Sequence, residues 1–323
     1  MNSRTKIFLA LLSSCVFAMG LIMFPSETAQ SVRNSLAVCS KNIIPSLFPF
    51  FVISKFLVSV PFPKKAERIF GKIMSLFSLS ANLAPALILG LIGGYPIGAS
   101  SVSEVYCKGL CTRNEAERLL AFCDNCGPAF IIGAVGFGIY SSVRIGIILF
   151  AVHVFSALAV GIIFAVFSPL DSEKIRKRDS QSSFKFSKAF TNAVSTSTFS
   201  LLTICSYIVL FSVFSELLRL MRVLPLISGL ISSAFGISAE AVSSFISGVL
   251  EVTVGAYSIA ECCPFSLSFP VISFLLGWGG FSVHCQAMSC ISESGLSLRQ
   301  HFWGKLLHGI FSLIFACGLR FII

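Results

Sequence analysis

The stretch Leu87-Ile88-Leu89-Gly90-Leu91-Ile92-Gly93-Gly94-Tyr95-Pro96-Ile97-Gly98-Ala99 stops an apolar run in mid-flow and then resumes it. Gly93 and Gly94 accept backbone dihedrals that other residues resist, and Pro96 brings no N–H. A continuous spanning helix needs about 20 apolar residues. Neither arm is that long: Ala84 to Ile92 precedes the break and Ile97 to Tyr106 follows it. Irregular backbone at membrane depth is tolerated only where protein buries it or a wet cavity adjoins it. We therefore read two half-helices meeting at their tips, a re-entrant hairpin across 82–107. The competing reading is a Gly/Pro kink in an ordinary span, because both residues are common in membrane helices.

A second stretch has the same rhythm: Phe245-Ile246-Ser247-Gly248-Val249-Leu250-Glu251-Val252-Thr253-Val254-Gly255-Ala256. Aligned on Gly90 and Gly248, both run apolar, break, and then reach a Gly-Ala pair, Gly98-Ala99 or Gly255-Ala256, with one residue skipped. The second break carries a carboxylate, Glu251, and its hairpin is expected at about 226–263. Two breaks in matching places suggest an internal repeat, 1–170 and 189–323, joined by a basic linker, 171–188.

Composition fixes the class. The chain has 323 residues, 55% hydrophobic and 12% charged, with a mean hydropathy of +0.89. That excludes a soluble domain and indicates an all-α, polytopic helical membrane protein whose partner is the lipid bilayer. A net charge of +10 could signal nucleic acid, but 33 Phe against two Trp is apolar bulk, not a stacking platform. In a membrane protein such charge marks cytoplasmic loops. With the N-terminus inside and each hairpin returning to its own face, seventeen Lys and Arg fall inside, six fall outside, and Lys55 lies within a span, which accounts for the 24. The first hairpin then enters from the cytoplasm and the second from the opposite face, an inverted repeat. The twelve Cys are scattered through apolar segments and suggest no disulfide framework.

Along the chain, Met1 to Phe24 reads as an uncleaved first span and Ile43 to Val60 as a second, broken at Pro45-Ser46-Leu47-Phe48-Pro49. Thr112-Arg113-Asn114-Glu115 is a capping box opening a short amphipathic helix. Cys123-Asp124-Asn125-Cys126-Gly127-Pro128 interrupts the chain before Ala129 to Tyr140, and Val143 to Phe167 spans again. Ala189 to Phe214 carries hydroxyls from Ser195 to Thr203 that line a path or permit close packing. Gly277-Trp278-Gly279-Gly280 leads to His284-Cys285-Gln286 before a last span from Phe302. About ten membrane segments result, counting the hairpins.

The residues Pro45 to Phe50, Gly94-Tyr95-Pro96-Ile97-Gly98-Ala99, Asn125-Cys126-Gly127-Pro128-Ala129-Phe130-Ile131, Leu250-Glu251-Val252-Thr253 and Gly279 to Gln286 give the chain its likeness. It resembles the sporulation integral membrane proteins of the YlbJ type, which contain the nucleoside-recognition Gate domain. The resemblance implies a layout similar to concentrative nucleoside transporters. It further implies dipicolinic acid, a pyridine dicarboxylate, moved out of the mother cell towards the forespore. The location implied is a multi-pass cell membrane, the mother-cell-derived one around the forespore.

The candidate substrate-binding set is Gly93, Gly94, Tyr95, Pro96, Gly98, Asn125, Glu251, Thr253, Gly280, His284 and Gln286. A carboxylate in an apolar stretch is functional by default, so Glu251 is expected to bind solute or carry a coupling proton; the alternative is a partnered structural group. Half-helix N-termini between Gly94 and Gly98 offer N–H groups to an anion. Lys55 is the one Lys read as mid-span, so a neutral, nucleoside-like solute fits the residues as well as a dicarboxylate does. Asp124 and Asn125 read as helix caps or site residues. His284 and Gln286 read as solute contacts or caps. His301, His308 and Trp303 read as interface anchors, and His153 as a packing contact. Cys123 and Cys126 lack a second pair at metal spacing, so no metal or other cofactor is expected; the coupling ion, H+ or Na+, stays open. No phosphate-binding loop of the G-x-x-x-x-G-K-[ST] form and no nucleophile–base spacing occur, so neither an ATP-driven pump nor an enzyme is expected. The rival is a membrane scaffold, and a homo-oligomer is compatible with either.

Overall fold

A computed structural model describes residues 3–60, 64–167 and 185–319. Its regular structure among these residues is all helical. Residues 171–184 of the expected linker, 171–188, lie outside them. Four helical stretches are long and apolar enough to cross a membrane: Val143–Phe167, Phe186–Leu220, Phe265–Ile291 and Arg299–Leu319. A fifth arises if the pair Leu11–Met23 and Pro25–Lys41, bent by 99°, is one span. The other elements are shorter, so the ten expected segments resolve into few full spans and many half-length helices.

The chain opens with α1 (Ser3–Met23) and α2 (Pro25–Val38), which meet at the bend. A π-helical turn, Cys39–Ile43, leads into α3 (Ile44–Ser59). The break expected at Pro45–Pro49 is absent: α3 runs through both prolines. Pro45 sits in the first turn, where its missing N–H has no intrahelical partner to lose, and the π turn before it absorbs the irregularity. Next come α4 (Lys64–Ser75), α5 (Ala84–Ile92) and α6 (Ile97–Cys107). The capping box stands as read and opens α7 (Arg113–Cys123). Thr112 accepts from the Glu115 N–H at 3.2 Å, and Glu115 accepts from the Thr112 N–H at 2.9 Å. The second Glu115 oxygen takes the Ser80 N–H at 2.7 Å, which ties the loop before α5 to α7. α7 is interior, with its Arg118 buried and donating to the Ser78 carbonyl at 2.7 Å.

After a non-helical stretch at 124–127, a π-helical segment, Ala129–Ile139, precedes α8 (Val143–Phe167). The second half comprises α9 (Phe186–Leu220), α10 (Val223–Phe235), α11 (Ala239–Leu250), α12 (Val252–Cys262), α13 (Phe265–Trp278), α14 (Gly280–Ile291) and α15 (Arg299–Leu319). The second hairpin is α11–α12, tighter than expected, because α10 is a separate helix ended by Gly236.

Both glycine pairs turn out to be crossing points. In a continuous helix Gly248 and Gly255 would be about 10 Å apart at 1.5 Å per residue. Instead their backbones touch, so a side-chain carbon on Gly255 would collide with the Gly248 main chain. Likewise a side-chain carbon on Gly90 would lie 3.0 Å from the Gly98 Cα. Each chain therefore doubles back, and the kinked-span alternative fails at both places. The halves interlock: α3 packs on α9, and α15 packs on α7, α8 and α13. One apolar core surrounds Leu119 and Phe122. A second gathers Tyr95, Ile131 and Leu149 from the first half with Val252, Phe269 and Leu276 from the second.

Candidate functional site

Four interruptions of the helical backbone converge on one place. The first is the tip at Gly93–Pro96, where Gly94 adopts φ +86° and the Tyr95–Pro96 peptide is cis. A side-chain carbon on Gly127, in the break after α7, would lie 3.1 Å from the Gly94 Cα, so these two breaks abut. The third is Gly279–Gly280, both near φ +84°. A side-chain carbon on Gly279 would meet the Tyr95 hydroxyl at 3.2 Å, and one on Gly280 would meet the Leu250 carbonyl at 3.1 Å. The fourth break is therefore the second hairpin tip, Glu251. Positive φ excludes L side chains cheaply at these positions, and close approach excludes them by volume.

Three of these breaks line a cavity of about 410 Å³, and Gly279–Gly280 packs behind the two hairpin tips. The tips contribute Gly93, Gly94, Tyr95, Glu251, Val252 and Thr253, and Cys126 and Gly127 join from the break between them. Phe50 and Leu47 of α3, Phe130 and Ala134 of the second π segment, Ile204 of α9, Tyr257 of α12 and Gln286 of α14 complete the wall. The lining is apolar and aromatic with a few polar groups, the usual make-up of a small-molecule site. Its lining residues include no Lys or Arg.

Glu251 is 3% exposed and forms the N-terminal cap of α12. One of its oxygens accepts from the Thr253 N–H at 3.0 Å, the other from the Val254 N–H at 2.8 Å. The buried carboxylate is thus held by the free amides and the positive end of its own half-helix. The unfilled lone pairs of both oxygens remain available to a donor. Glu251 and Thr253 also line a second cavity, of about 740 Å³, whose wall carries many hydroxyls, two amides and the charged side chains of Glu27, Glu216 and Arg219 beside apolar ones. Ser31, Asn34 and Ser35 of α2, Ser212 and Ser215 of α9, and Ser243 and Ser247 of α11 form it. The Glu251 tip is therefore the partition between an apolar chamber and a polar vestibule.

Of the expected set, Gly93, Gly94, Tyr95, Glu251, Thr253 and Gln286 line the first cavity. Five do not. Pro96 and Gly98 are buried behind the tip, with Gly98 pressed against the Cys123–Asp124 backbone. The Asn125 amide turns back to the Phe122 carbonyl at 2.8 Å, and Gly280 packs under Leu250. His284 points to His301, with facing Nδ1 atoms 3.3 Å apart. Asp124 ends α7 and caps no following helix; its carboxylate lies 3.2 Å from His301 Nε2. His301 and His308, read as interface anchors, are fully buried, while Trp303 is half-exposed. His153 is packed as read, its ring 4.3 Å from that of His308. The hydroxyls of Thr196, Thr198, Ser200 and Thr203 bond carbonyls one turn back in α9 and line neither cavity.

The sequence reading missed Lys305. Counted among cytoplasmic charges, it is fully buried, with its ammonium 2.8 Å from the Asp124 carbonyl and 4.9 Å from the centre of the Tyr95 ring. Its only signal was its place inside the apolar run after Phe302. The vestibule was missed too; its signal was the polar run Ser26 to Ser35.

A sequence model of the Gate family, described as nucleoside recognition, matches residues 40–171. That span begins at the first π turn and ends just beyond α8, so it contains the first hairpin and the break at 124–127. Over 322 residues the chain is 26% identical to the sporulation integral membrane protein YlbJ of Bacillus subtilis (strain 168), covering 91% of this chain and 78% of that protein. No solved structure matches. The likeness read from the hairpin motifs is thus the one that both comparisons find: the chain is an integral membrane protein similar to YlbJ, and its residues 40–171 are similar to the Gate family.

Proposed function

We propose that the chain is a secondary carrier that moves a small polar solute through the chamber between its two hairpin tips. The observation that carries this reading is the convergence of three backbone breaks on one cavity, with the fourth packed behind them and Glu251 shared between that cavity and a polar vestibule. Discontinuous helices meeting at a midplane site are how carriers bind solutes and expose them alternately to two faces. A scaffold has no need of buried irregular backbone, which is costly in lipid. The inverted placement of the halves, the cytoplasmic N-terminus and the two-repeat division belong to this proposal. The charge count behind the orientation loses Arg118 and Lys305, which are buried, and keeps its sign.

The solute we propose is dipicolinic acid, carried in sporulating cells from the mother cell towards the forespore. It is supported by the similarity to a sporulation membrane protein and by the flat aromatic walls of Tyr95, Phe50, Phe130 and Tyr257. A nucleoside-like solute is the second reading, favoured by the absence of Lys and Arg from the chamber lining and by the Gate description. Glu251 would then accept from a solute hydroxyl. Purified protein in liposomes, given labelled dipicolinate or labelled uridine at several pH values, separates them. Dipicolinate uptake saturating above protein-free liposomes supports the first, uridine uptake the second, and no uptake of either supports a scaffold.

A further inference from the structure

All four histidines of the chain gather behind the first hairpin tip, with the one fully buried Lys and the one fully buried Asp among the described residues. Three of the rings are fully enclosed, or nearly so, and His284 is the least enclosed at 8% exposed. Their contacts form a single file. His284 Nδ1 faces His301 Nδ1 at 3.3 Å, and His301 Nε2 faces the Asp124 carboxylate at 3.2 Å. Lys305 Nζ reaches the Asp124 main-chain oxygen at 2.8 Å, His308 Nδ1 at 3.3 Å and the Tyr95 hydroxyl at 3.4 Å. His308 Nε2 bonds the His153 carbonyl at 2.9 Å, and the Cys126 N–H donates to His153 Nε2 at 3.1 Å. His284 Nε2 is buried with no hydrogen-bond partner among the described residues.

We propose that Asp124, His301 and His284 form a proton relay that takes up a proton at His284 Nε2 and delivers one to the Asp124 carboxylate. Donor–acceptor parity fixes how it works. Two Nδ1 atoms in contact need one proton between them. With Asp124 ionised, His301 must keep a proton on Nε2 to donate to it. Its Nδ1 is then bare and accepts from His284 Nδ1–H, which leaves His284 Nε2 bare, as its missing partner fits. A proton arriving at His284 Nε2 lets the Nδ1 proton pass to His301 Nδ1 and the His301 Nε2 proton pass to Asp124. One proton enters and the carboxylate becomes a neutral acid. Both rings end neutral in the opposite tautomer, with every hydrogen bond re-formed. No charge rests on a ring in the apolar interior, where it would be costly.

The neutralised group faces the first hairpin. The Ala99 N–H of α6 points at Asp124 Oδ1 at 3.4 Å. Lys305 of α15, the Tyr95 hydroxyl of the first hairpin tip, and the thiols of Cys123 and Cys290 are the other titratable groups that sense it, and Cys126 and His153 of α8 lie beyond them beside Lys305. Protonation removes the negative charge beside Lys305 and weakens the hold on α6, so the hairpin tip carrying Tyr95 senses the proton. That last step rests on the carrier reading; the relay itself does not.

The test uses the full chain in lipid bilayers with 15N-labelled histidine, which gives only four side-chain signal sets. On acidification, two rings should exchange tautomers without becoming imidazolium, and the exchange should vanish in Asp124→Asn and His284→Phe. Imidazolium at His284 or His301, or unchanged tautomers across the titration, would overturn the relay from the wild-type spectra alone. No solute is needed. A failed relay therefore leaves the carrier proposal intact, and failed uptake leaves the relay intact.

Discussion

The hydroxyl of Tyr95, at the tip of the first hairpin, donates to the main-chain carbonyl of Leu276 in α13, 181 residues away. The carbonyl is buried near the end of a helix interrupted three residues later at Gly279. This bond fastens the first half to the second half at the wall of the chamber. Replacing Tyr95 by Phe keeps the ring and leaves that carbonyl unpaired, a loss of about 1–3 kcal/mol. Thermal unfolding in detergent should fall by several degrees, and solute uptake in liposomes should fall with it. An unchanged unfolding midpoint would show that the bond does not hold the halves together.

Glu251 joins its cap to its place in the chamber. Glu251→Gln keeps one acceptor for the two amides, while Glu251→Ala keeps none. Loss of capping costs about 1 kcal/mol, up to about 2 for the poorer variant. Uptake should drop at least tenfold in both if the carboxylate meets the solute or its proton. Should Glu251→Gln move solute at the wild-type rate with unaltered pH dependence, the group is a cap and nothing more.

Close approach at the hairpin crossings makes a sharp contrast with open helix faces. A methyl group on Gly255 has only the Gly248 backbone to displace, so Gly255→Ala should splay the second hairpin and cost about 1–3 kcal/mol. Gly229 and Gly318 have nothing within 4 Å. Alanine there should be neutral, or stabilise by up to about 1 kcal/mol through helix propensity. Unfolding midpoints of the three variants, measured side by side, check the ranking.

The vestibule predicts accessibility. A cysteine placed at Ser31 or Ser247, in a background without the native thiols, should react with a membrane-impermeant thiol reagent. One placed at Ser197, which is fully buried, should not. Mass spectrometry of the labelled protein reads the outcome, and Ser31 and Ser247 positions no more reactive than Ser197 would dismiss the vestibule as an aqueous entrance.

Lys305→Met should destabilise by about 1–3 kcal/mol, because it leaves the buried Asp124 main-chain carbonyl without its donor and removes the cation near the Asp124 carboxylate. Adding Asp124→Asn to it should restore part of the loss. Additive losses in the double-variant cycle would mean that the two side chains do not sense each other.

The amino-acid sequence by itself determined the class and the punctuation. Hydropathy marks a membrane protein, and Gly93–Pro96, Asp124–Pro128, Glu251 and Gly277–Gly280 mark where helices must stop. These are local facts, written in the dihedral freedom of glycine, the missing N–H of proline and the cost of a carboxylate in lipid. The matched glycines Gly90, Gly98, Gly248 and Gly255 marked the register of the two hairpins, and only the structure showed that they are the crossing points. Proline alone misled at Pro45–Pro49: Pro45 falls in the first turn after a π turn, where it costs little, and Pro49 sits inside α3 without ending it. Tertiary structure decided which polar groups face the chamber. His284 turned away from it and Gln286 towards it: two residues apart on α14 they must face opposite ways, and packing decided which of the two faces in. Lys305 and the histidines became one network only when α15 was laid against α7 and α8. Facing direction is set by contacts between elements far apart in the chain, and no periodicity within one helix records it.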